Sequence, residues 1–450
     1  MKGRIALSGL VAAGAIAGCG SWSRVGSGGD QVRPSETLTE FLNVQAYYKR
    51  IGRLAAGDPV PFVGTVASAA GVADTTIALV ALSLENRAFS FQKEGNSFAA
   101  RYHVDIAFTR PGVPAVTVGR DEIVRVPTFL ETQRADESVL FQQVFRLAPG
   151  PYHVAVKLRD PTVGTSSSAE LDYTAPAFPP GSTTQPILAY QVRGRASRSD
   201  TLSVVVNPRG TVAYGGDTLL AYIEGYDFPA ATRVPFEVRT ESDSIVYRDS
   251  LEFHGGRGVE SQVLRLRPDS MALGELKLVV GQGAEARQTS ALVSFSTAWV
   301  VTNFDDMLSL LRYFGHQSGL DSLRKAPAAE RPDLWRSFYR ATDPNEATPE
   351  NEALNSYFTR LAIANQRFRG EGPPGWRTDR GEVFIILGEP DEAYETSPGQ
   401  VGGRVLRWTY VNERLSLYFV DETSFGRLRL TPESRADFER VRERVRRLTE

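Results

Sequence analysis

Cysteine is nearly absent from this chain: one residue, Cys19, in 450. A single thiol excludes an internal disulfide framework and any zinc site built from thiolates. Histidine is scarce as well. The four residues His103, His153, His254 and His316 contain no pair at metal-ligand spacing. No DxDxDG loop, GxSxG elbow or phosphate-cradling glycine loop occurs. Charge of one sign is also lacking. The formal net charge is -2, which supplies no long-range field to attract nucleic acid, so no nucleic-acid partner is expected. The apolar stretch Ile5 to Ala17 is too short to cross a bilayer with its ends free.

What is present starts with that stretch. Lys2 and Arg4 precede it, and together they read as an export signal. It ends Ile16-Ala17-Gly18-Cys19, which resembles the bacterial lipobox, where small residues fit a dedicated peptidase and the cysteine thiol receives diacylglycerol. The resemblance implies that residues 1–18 are a lipoprotein signal peptide. Cys19 then becomes a lipidated amino terminus whose acyl chains, palmitate among them, hold the protein to a membrane. Gly20 follows the cysteine where an aspartate would signal retention, which implies the outer membrane, on a face left open. The plainer alternative is a secretory signal with an incidental cysteine. Residues 19–36, rich in Gly and Ser, read as a flexible tether.

At 450 residues, 42% hydrophobic and 23% charged, the chain is expected to be multidomain. Residues 37–58 suit an N-terminal helix, with Leu38, Phe41, Leu42, Ala46, Tyr47, Ile51 and Leu54 on one face. From 60 to 175 the period changes to two. Tyr102, Val104, Ile106 and Phe108 alternate with polar neighbours, as do Tyr152, Val154, Val156 and Leu158. With Thr76 to Leu84, Phe89 to Phe91, Val116 to Val118 and Val139 to Leu147 they predict a first all-β, immunoglobulin-like sandwich. The proline-rich stretch 176–186 reads as a stiff linker, and 187–297 as a second sandwich of the same kind. Residues 298–450 predict an α+β module. Asn303 is placed to cap a helix over Phe304 to Phe314, and Pro332 opens another. Thr348-Pro349-Glu350 starts a third, which carries Leu354, Tyr357, Phe358, Leu361 and Phe368. A three-stranded antiparallel meander follows over Val405 to Val411, Leu415 to Val420 and Leu428 to Leu430. A last helix begins at Thr431-Pro432-Glu433, with Glu443 and Arg447 paired on one face.

The densest run of signals is Gly375-Trp376-Arg377-Thr378-Asp379-Arg380-Gly381, continuing to Gly388-Glu389-Pro390-Asp391. It resembles the signature of the GWxTD-domain family of bacterial envelope proteins, matched at Gly375, Trp376, Thr378 and Asp379 and then at Arg380 and Gly381. The family has no established biochemical activity, so the resemblance implies location and build, not a reaction. Pro373-Pro374-Gly375 predicts a turn that drives the Trp376 indole into a groove. Thr378 or Asp379 is placed to cap the next segment, and Glu382 completes a capping-box pattern with Asp379. Residues 382–387 suit a helix by their Gly388 and Pro390 stop and a strand by their β-branched run. The C-terminal pattern is also weakly similar to the small BamE/SmpA-type lipoprotein fold, an analogy of architecture alone.

Chemistry in this module rests on carboxylates: Asp379, Glu382, Glu389, Asp391, Glu392, Asp421 and Glu422. Each sits where a carboxylate commonly satisfies backbone amides, so structural roles are expected, with no catalytic residue, metal or cofactor assigned. The expected function is a non-enzymatic, lipid-anchored binding or scaffold protein of the cell envelope, with the membrane through Cys19 and an envelope protein or glycan as partners. A hydrolase of envelope glycans or peptides is the alternative, and it requires two of these carboxylates to converge in an open cleft. A carbohydrate-binding module would instead line up exposed aromatics on a sandwich face.

Overall fold

The computed structural model describes residues 22–24 and 44–449, apart from 135–136, 217, 268–272, 297–299, 302–303, 346–347, 349–350, 397–403 and 422–425. Cys19, Asn303 and Glu422 lie outside the described residues. The chain is mostly β, with several sheets and a C-terminal region of helices and strands. It divides into two compact units, Pro34–Thr359 and Met1–Arg33 with Arg360–Glu450.

Among the described residues the larger unit contains four sheets. Sheet 1 joins Leu54–Ala56, Phe62–Ala70, Thr76–Leu84 and Val139–Leu147 in that order. Sheet 2 runs Thr165–Ala175, Gly150–Asp160, Ser97–Arg110 and Gln92–Glu94, with Val113–Val126 paired to Ser97–Arg110. Between these two sheets Leu82, Leu84, Phe141 and Phe145 meet Tyr102, Ile106, Phe108 and Val154 in one core. The alternation in Gly150–Asp160 places every second side chain inward, as its sequence period requires.

Sheet 3 runs Ser203–Val206, Ile187–Arg193, Leu219–Tyr226 and Val259–Leu266. Sheet 4 runs Thr211–Ala213, Arg287–Ser294, Gly274–Val280, Thr232–Thr240 and Ile245–Phe253. Sheet 1 uses both of its faces. Leu79 and Ala81, on the side away from sheet 2, pack with Ile187, Ala189, Val204, Val206 and Tyr222 of sheet 3. All nine residues of Thr76–Leu84 are buried in consequence. Its sequence, TIALVALSL, is apolar without a break from Ile77 to Leu82, the pattern of a strand covered on both sides.

Three expectations change here. The stretch 176–186 is not a free linker. Phe178 packs at a tilt against Tyr226 with ring centroids 5.0 Å apart, Thr184 is fully buried, and Gly181 N–H donates to the Tyr226 carbonyl at 2.7 Å. Prolines stiffen this segment, but its backbone groups are spent on sheet 3. The N-terminal helix, whose described part is Val44–Arg50, ends before the expected 58, because Leu54–Ala56 pairs with Phe62–Ala70. Leu38, Phe41 and Leu42 lie outside the described residues. Phe89 to Phe91 is not a strand: a 3-10 turn, Asn86–Ala88, precedes it and the strand follows at Gln92–Glu94.

Helices Phe304–Leu310, Gln317–Lys325 and Arg331–Ala341 complete the larger unit. Trp335 sits edge-on to Phe295 at 4.9 Å, and Arg336 Nε donates to the Gly215 carbonyl at 2.5 Å. Helix Glu352–Arg367 is capped by Asn351, whose Oδ1 accepts from Leu354 N–H at 2.9 Å. The Thr348 hydroxyl instead donates to Glu352.

The smaller unit is built on a five-stranded antiparallel sheet of Trp22–Arg24, Glu392–Thr396, Val405–Tyr410, Leu415–Val420 and Arg429–Leu430. The expected meander is present, and two strands extend it. Trp22–Arg24 comes from the expected tether and pairs in register Trp22↔Thr396, Ser23↔Glu395 and Arg24↔Tyr394. Helix Asp379–Leu387 and helix Pro432–Thr449 accompany this sheet. The last helix carries a Glu443–Arg446 pair in place of Glu443 with Arg447. Among the described residues no helix is long and apolar enough to cross a membrane.

Candidate functional site

The signature folds as a 3-10 turn, Gly375–Arg377, followed directly by helix Asp379–Leu387. Residues 382–387 are therefore helical. Their β-branched side chains are accommodated because Val383, Phe384 and Ile385 are all buried, so packing overrides propensity. Trp376 is 3% exposed, with the Arg377 guanidinium 4.6 Å from its ring centroid.

Two glycines make the turn possible by having no side chain. A Cβ on Gly375 would lie 2.5 Å from the carbonyl oxygens of Ala364 and Asn365, and one on Gly381 would lie 2.1 Å from the Gly375 carbonyl oxygen. The turn and the first turn of the helix touch backbone to backbone. Thr378 closes this contact. Its hydroxyl accepts from Gly381 N–H at 2.9 Å and donates to the Gly375 carbonyl at 2.8 Å. Thr378 is thus the cap, and Asp379 occupies the first helical turn, where a negative charge faces the positive helix end.

Asp379 and Glu382 face elsewhere. Asp379 Oδ2 accepts from Leu430 N–H at 2.8 Å, and its Oδ1 pairs with Arg435 at 2.8 Å. Glu382 takes Arg435 at 2.9 Å and Arg442 at 3.0 Å, so the capping-box bond back to the turn is replaced by ion pairs with the last helix. Burial alone would depress the Arg435 guanidinium, but the Glu382 hydrogen bond and the Asp379 charge raise it above its ordinary value.

Arg380 pairs with Glu371 at 2.5 Å, its guanidinium 4.8 Å from the Phe368 ring centroid. Burial raises the Glu371 carboxyl and lowers Arg380, so desolvation outweighs their mutual attraction. The helix ends at Gly388, with φ of 83°, and the Gly388 carbonyl accepts from Tyr410 O–H at 3.0 Å. Glu389 pairs with Arg367 at 2.6 Å. Pro390 is half-buried in the turn. Asp391 accepts from Val411 N–H at 2.6 Å, and Asp421 from Gly426 N–H at 2.7 Å. Glu392 opens a strand.

The carboxylates are consequently spread over backbone amides and ion pairs. Among the described residues no group of three or more His, Cys, Asp or Glu is arranged to hold a metal ion. His103 and His153 stand on the outer face of sheet 2 and are paired, not merely hydrated. His103 bonds Asp121 at 2.6 Å and Asp105 at 3.0 Å, and His153 bonds Asp172 at 3.1 Å.

Glu371, Arg435 and Arg442 belong to this constellation and carry no motif of their own. Arg435 and Arg442 are seven residues apart in a helical segment, which puts them on one face, and that spacing is the signal available for them.

Comparison with known proteins agrees with this placement. Residues 278–426 match the GWxTD domain, a span that contains the turn, its helix and most of the C-terminal sheet. No curated protein matches. Among solved structures, the dimeric latent PorU from Porphyromonas gingivalis is 10% identical, with 58% of this chain and 21% of that chain covered, at a TM-score of 0.21. The chain thus spans about a fifth of PorU. The calcium binding domain CBD12 of CALX1.1 is 11% identical, covering 58% and 86%, with a TM-score of 0.14. The BSP domain of a biofilm associated protein is 9% identical, covering 56% and 54%, with a TM-score of 0.16. Scores this low carry no argument. What the chain carries is thus a GWxTD domain over residues 278–426, about a third of its length, with the signature turn in the second half of that span.

Proposed function

We propose that this is a lipid-anchored, non-enzymatic binding or scaffold protein of the bacterial cell envelope, held at the outer membrane through acylated Cys19. The four sheets of its larger unit act as two immunoglobulin-like sandwiches that make that unit rigid. The observation that carries the non-enzymatic reading is the use of Asp379, Glu382, Asp391 and Asp421: each accepts a backbone amide or an arginine, and none is left to move a proton. A glycan-binding face finds little support. Among the described residues the exposed aromatics Phe129, Tyr190, Tyr247 and Tyr418 come from a short helix and from strands of three different sheets.

The strand Trp22–Arg24 supports an anchoring role for the amino terminus. Three residue steps separate Cys19 from Trp22, a reach of about 10 Å. An acylated Cys19 therefore holds the edge of the C-terminal sheet close to the lipid surface.

Cell fractionation of Cys19→Ser tests the anchor, with release from the membrane fraction as the expected result. Retention of unlabelled protein in that fraction would count against it. Glu382→Gln and Asp391→Asn test the non-enzymatic reading. Any phenotype of the protein is expected to survive both, provided the fold survives, and its loss in a folded variant favours the hydrolase.

A further inference from the structure

Among the described residues three buried arginines lie in the larger unit, and one differs from the others. Arg195 is matched by Glu224 at 2.7 Å, and Arg209 by Glu85 at 3.3 Å and Glu137 at 4.0 Å. Arg53, 8% exposed, stands at the start of sheet 1. One terminal nitrogen donates to Thr65 Oγ1 at 2.5 Å and the other to the Ser290 carbonyl of sheet 4 at 2.7 Å. Among the described residues its buried Nε has no hydrogen-bond partner. Burial pulls the guanidinium down to about 10, and the Tyr48 phenol offsets this only in part.

Beside Arg53 lies a cavity of about 50 Å³. Its wall includes Thr65, Ser68, Gln185, Asn207 and Thr289 and, among the described residues, no Asp or Glu. A buried cation without a counter-charge is costly. The cavity has room for on the order of three or four water-sized occupants, which excludes an organic ligand. A hydroxyl that accepts from an arginine still has its own proton to donate, so Thr65 remains available as a donor.

We propose that this cavity is a binding site for a small monoatomic anion of the size of chloride, held by Arg53 with help from the neighbouring hydroxyls. Bound there, the anion supplies the charge that Glu224 supplies to Arg195. It also strengthens a junction to which sheet 1 contributes Arg53 and Thr65 and sheet 4 contributes Thr289. The site is separate from the GWxTD signature and independent of the scaffold reading.

Thermal unfolding of the full chain in sodium chloride, against sodium gluconate at equal ionic strength, provides the test. Gluconate is too large for the cavity. The transition of the larger unit is expected to rise by about one to three degrees as chloride replaces gluconate, and Arg53→Met is expected to lose that difference. An equal chloride response in the variant, or no response in the parent protein, overturns the proposal. Because Arg53→Met also removes two hydrogen bonds and can fail to fold, crystals of the parent protein grown in bromide serve as the second measurement. An anomalous peak beside Arg53 supports the site. Ordered water alone overturns it, as does a peak matched at many surface positions, which marks an adventitious ion only.

Discussion

The signature turn and the junction between sheets 1 and 3 both keep polar groups from water, but they recruit partners over very different distances along the chain. In the turn, Thr378 bonds Gly375 and Gly381, each three residues away. In the junction, Arg195 reaches the Ala70 carbonyl across 125 residues and Arg209 reaches Ser83 across 126. The Arg195 cluster is the denser. Glu224 accepts from Arg195 Nε at 2.7 Å, from Tyr222 at 2.6 Å and from Tyr226 at 2.5 Å, and the Tyr226 oxygen accepts from Ala70 N–H at 2.9 Å. Burial opposes the Arg195 charge, yet the Glu224 bonds hold its guanidinium above its usual value, and both tyrosines are raised, by burial first and Glu224 second. The turn is a local device that shapes one helix start. The junction makes one body of two blocks joined by a proline-rich segment.

The comparison can be broken by removing the centre of each device. Trp376→Ala is expected to cost about 3–5 kcal/mol, and Glu224→Ala, which strands a buried guanidinium, about 3–5 kcal/mol. Calorimetry should assign the two losses to different transitions, because the residues lie in different compact units. A single transition lowered equally by both would show the units to melt together. Gly381→Ala comes next, at about 3 kcal/mol, the upper end for overpacking, since the obstacle is a backbone oxygen that cannot swing aside. Denaturant titration against an Ala substitution at Gly426, a glycine with open space around it but positive φ, separates crowding from backbone strain. Thr378→Val should cost about 1 kcal/mol as a lost cap, with Thr378→Ser nearly neutral by the same titration.

The smallest effect is on sheet 2. Hydrogen bonds to Asp121 and Asp105 raise His103 above its ordinary value. A raised folded-state value means that the contribution is fully present below the unfolded value of about 6.5 and is lost as pH rises through the folded one. Melting temperature should therefore fall slightly from pH 6 upward, and His103→Gln should flatten that slope. An unchanged slope would leave the pair without energetic consequence, as many exposed pairs are.

How much was legible in the sequence follows the same division. The strands Thr76–Leu84 and Val139–Leu147 were readable, and the cap was narrowed to Thr378 or Asp379, because each depends on neighbours within a few residues, whereas helix or strand for 382–387 was settled only by packing. The packing of segment 176–186 was hidden, since Phe178 finds its partner in Tyr226, 48 residues on. The Glu382 pairs were hidden for the same reason, with Arg435 and Arg442 lying 53 and 60 residues away. One clue did exist: the unbroken apolar run at 77–82 indicates a strand covered on both faces, and so a third layer.

By itself the sequence determined the local units, because the periods of apolar residues, the prolines and the small residues at turns act through backbone geometry over three or four positions. Tertiary structure alone decided which sheets share faces, where Trp22–Arg24 pairs and which arginine meets which carboxylate. Those outcomes depend on surfaces that exist only after distant segments have paired, so no short window of residues contains them.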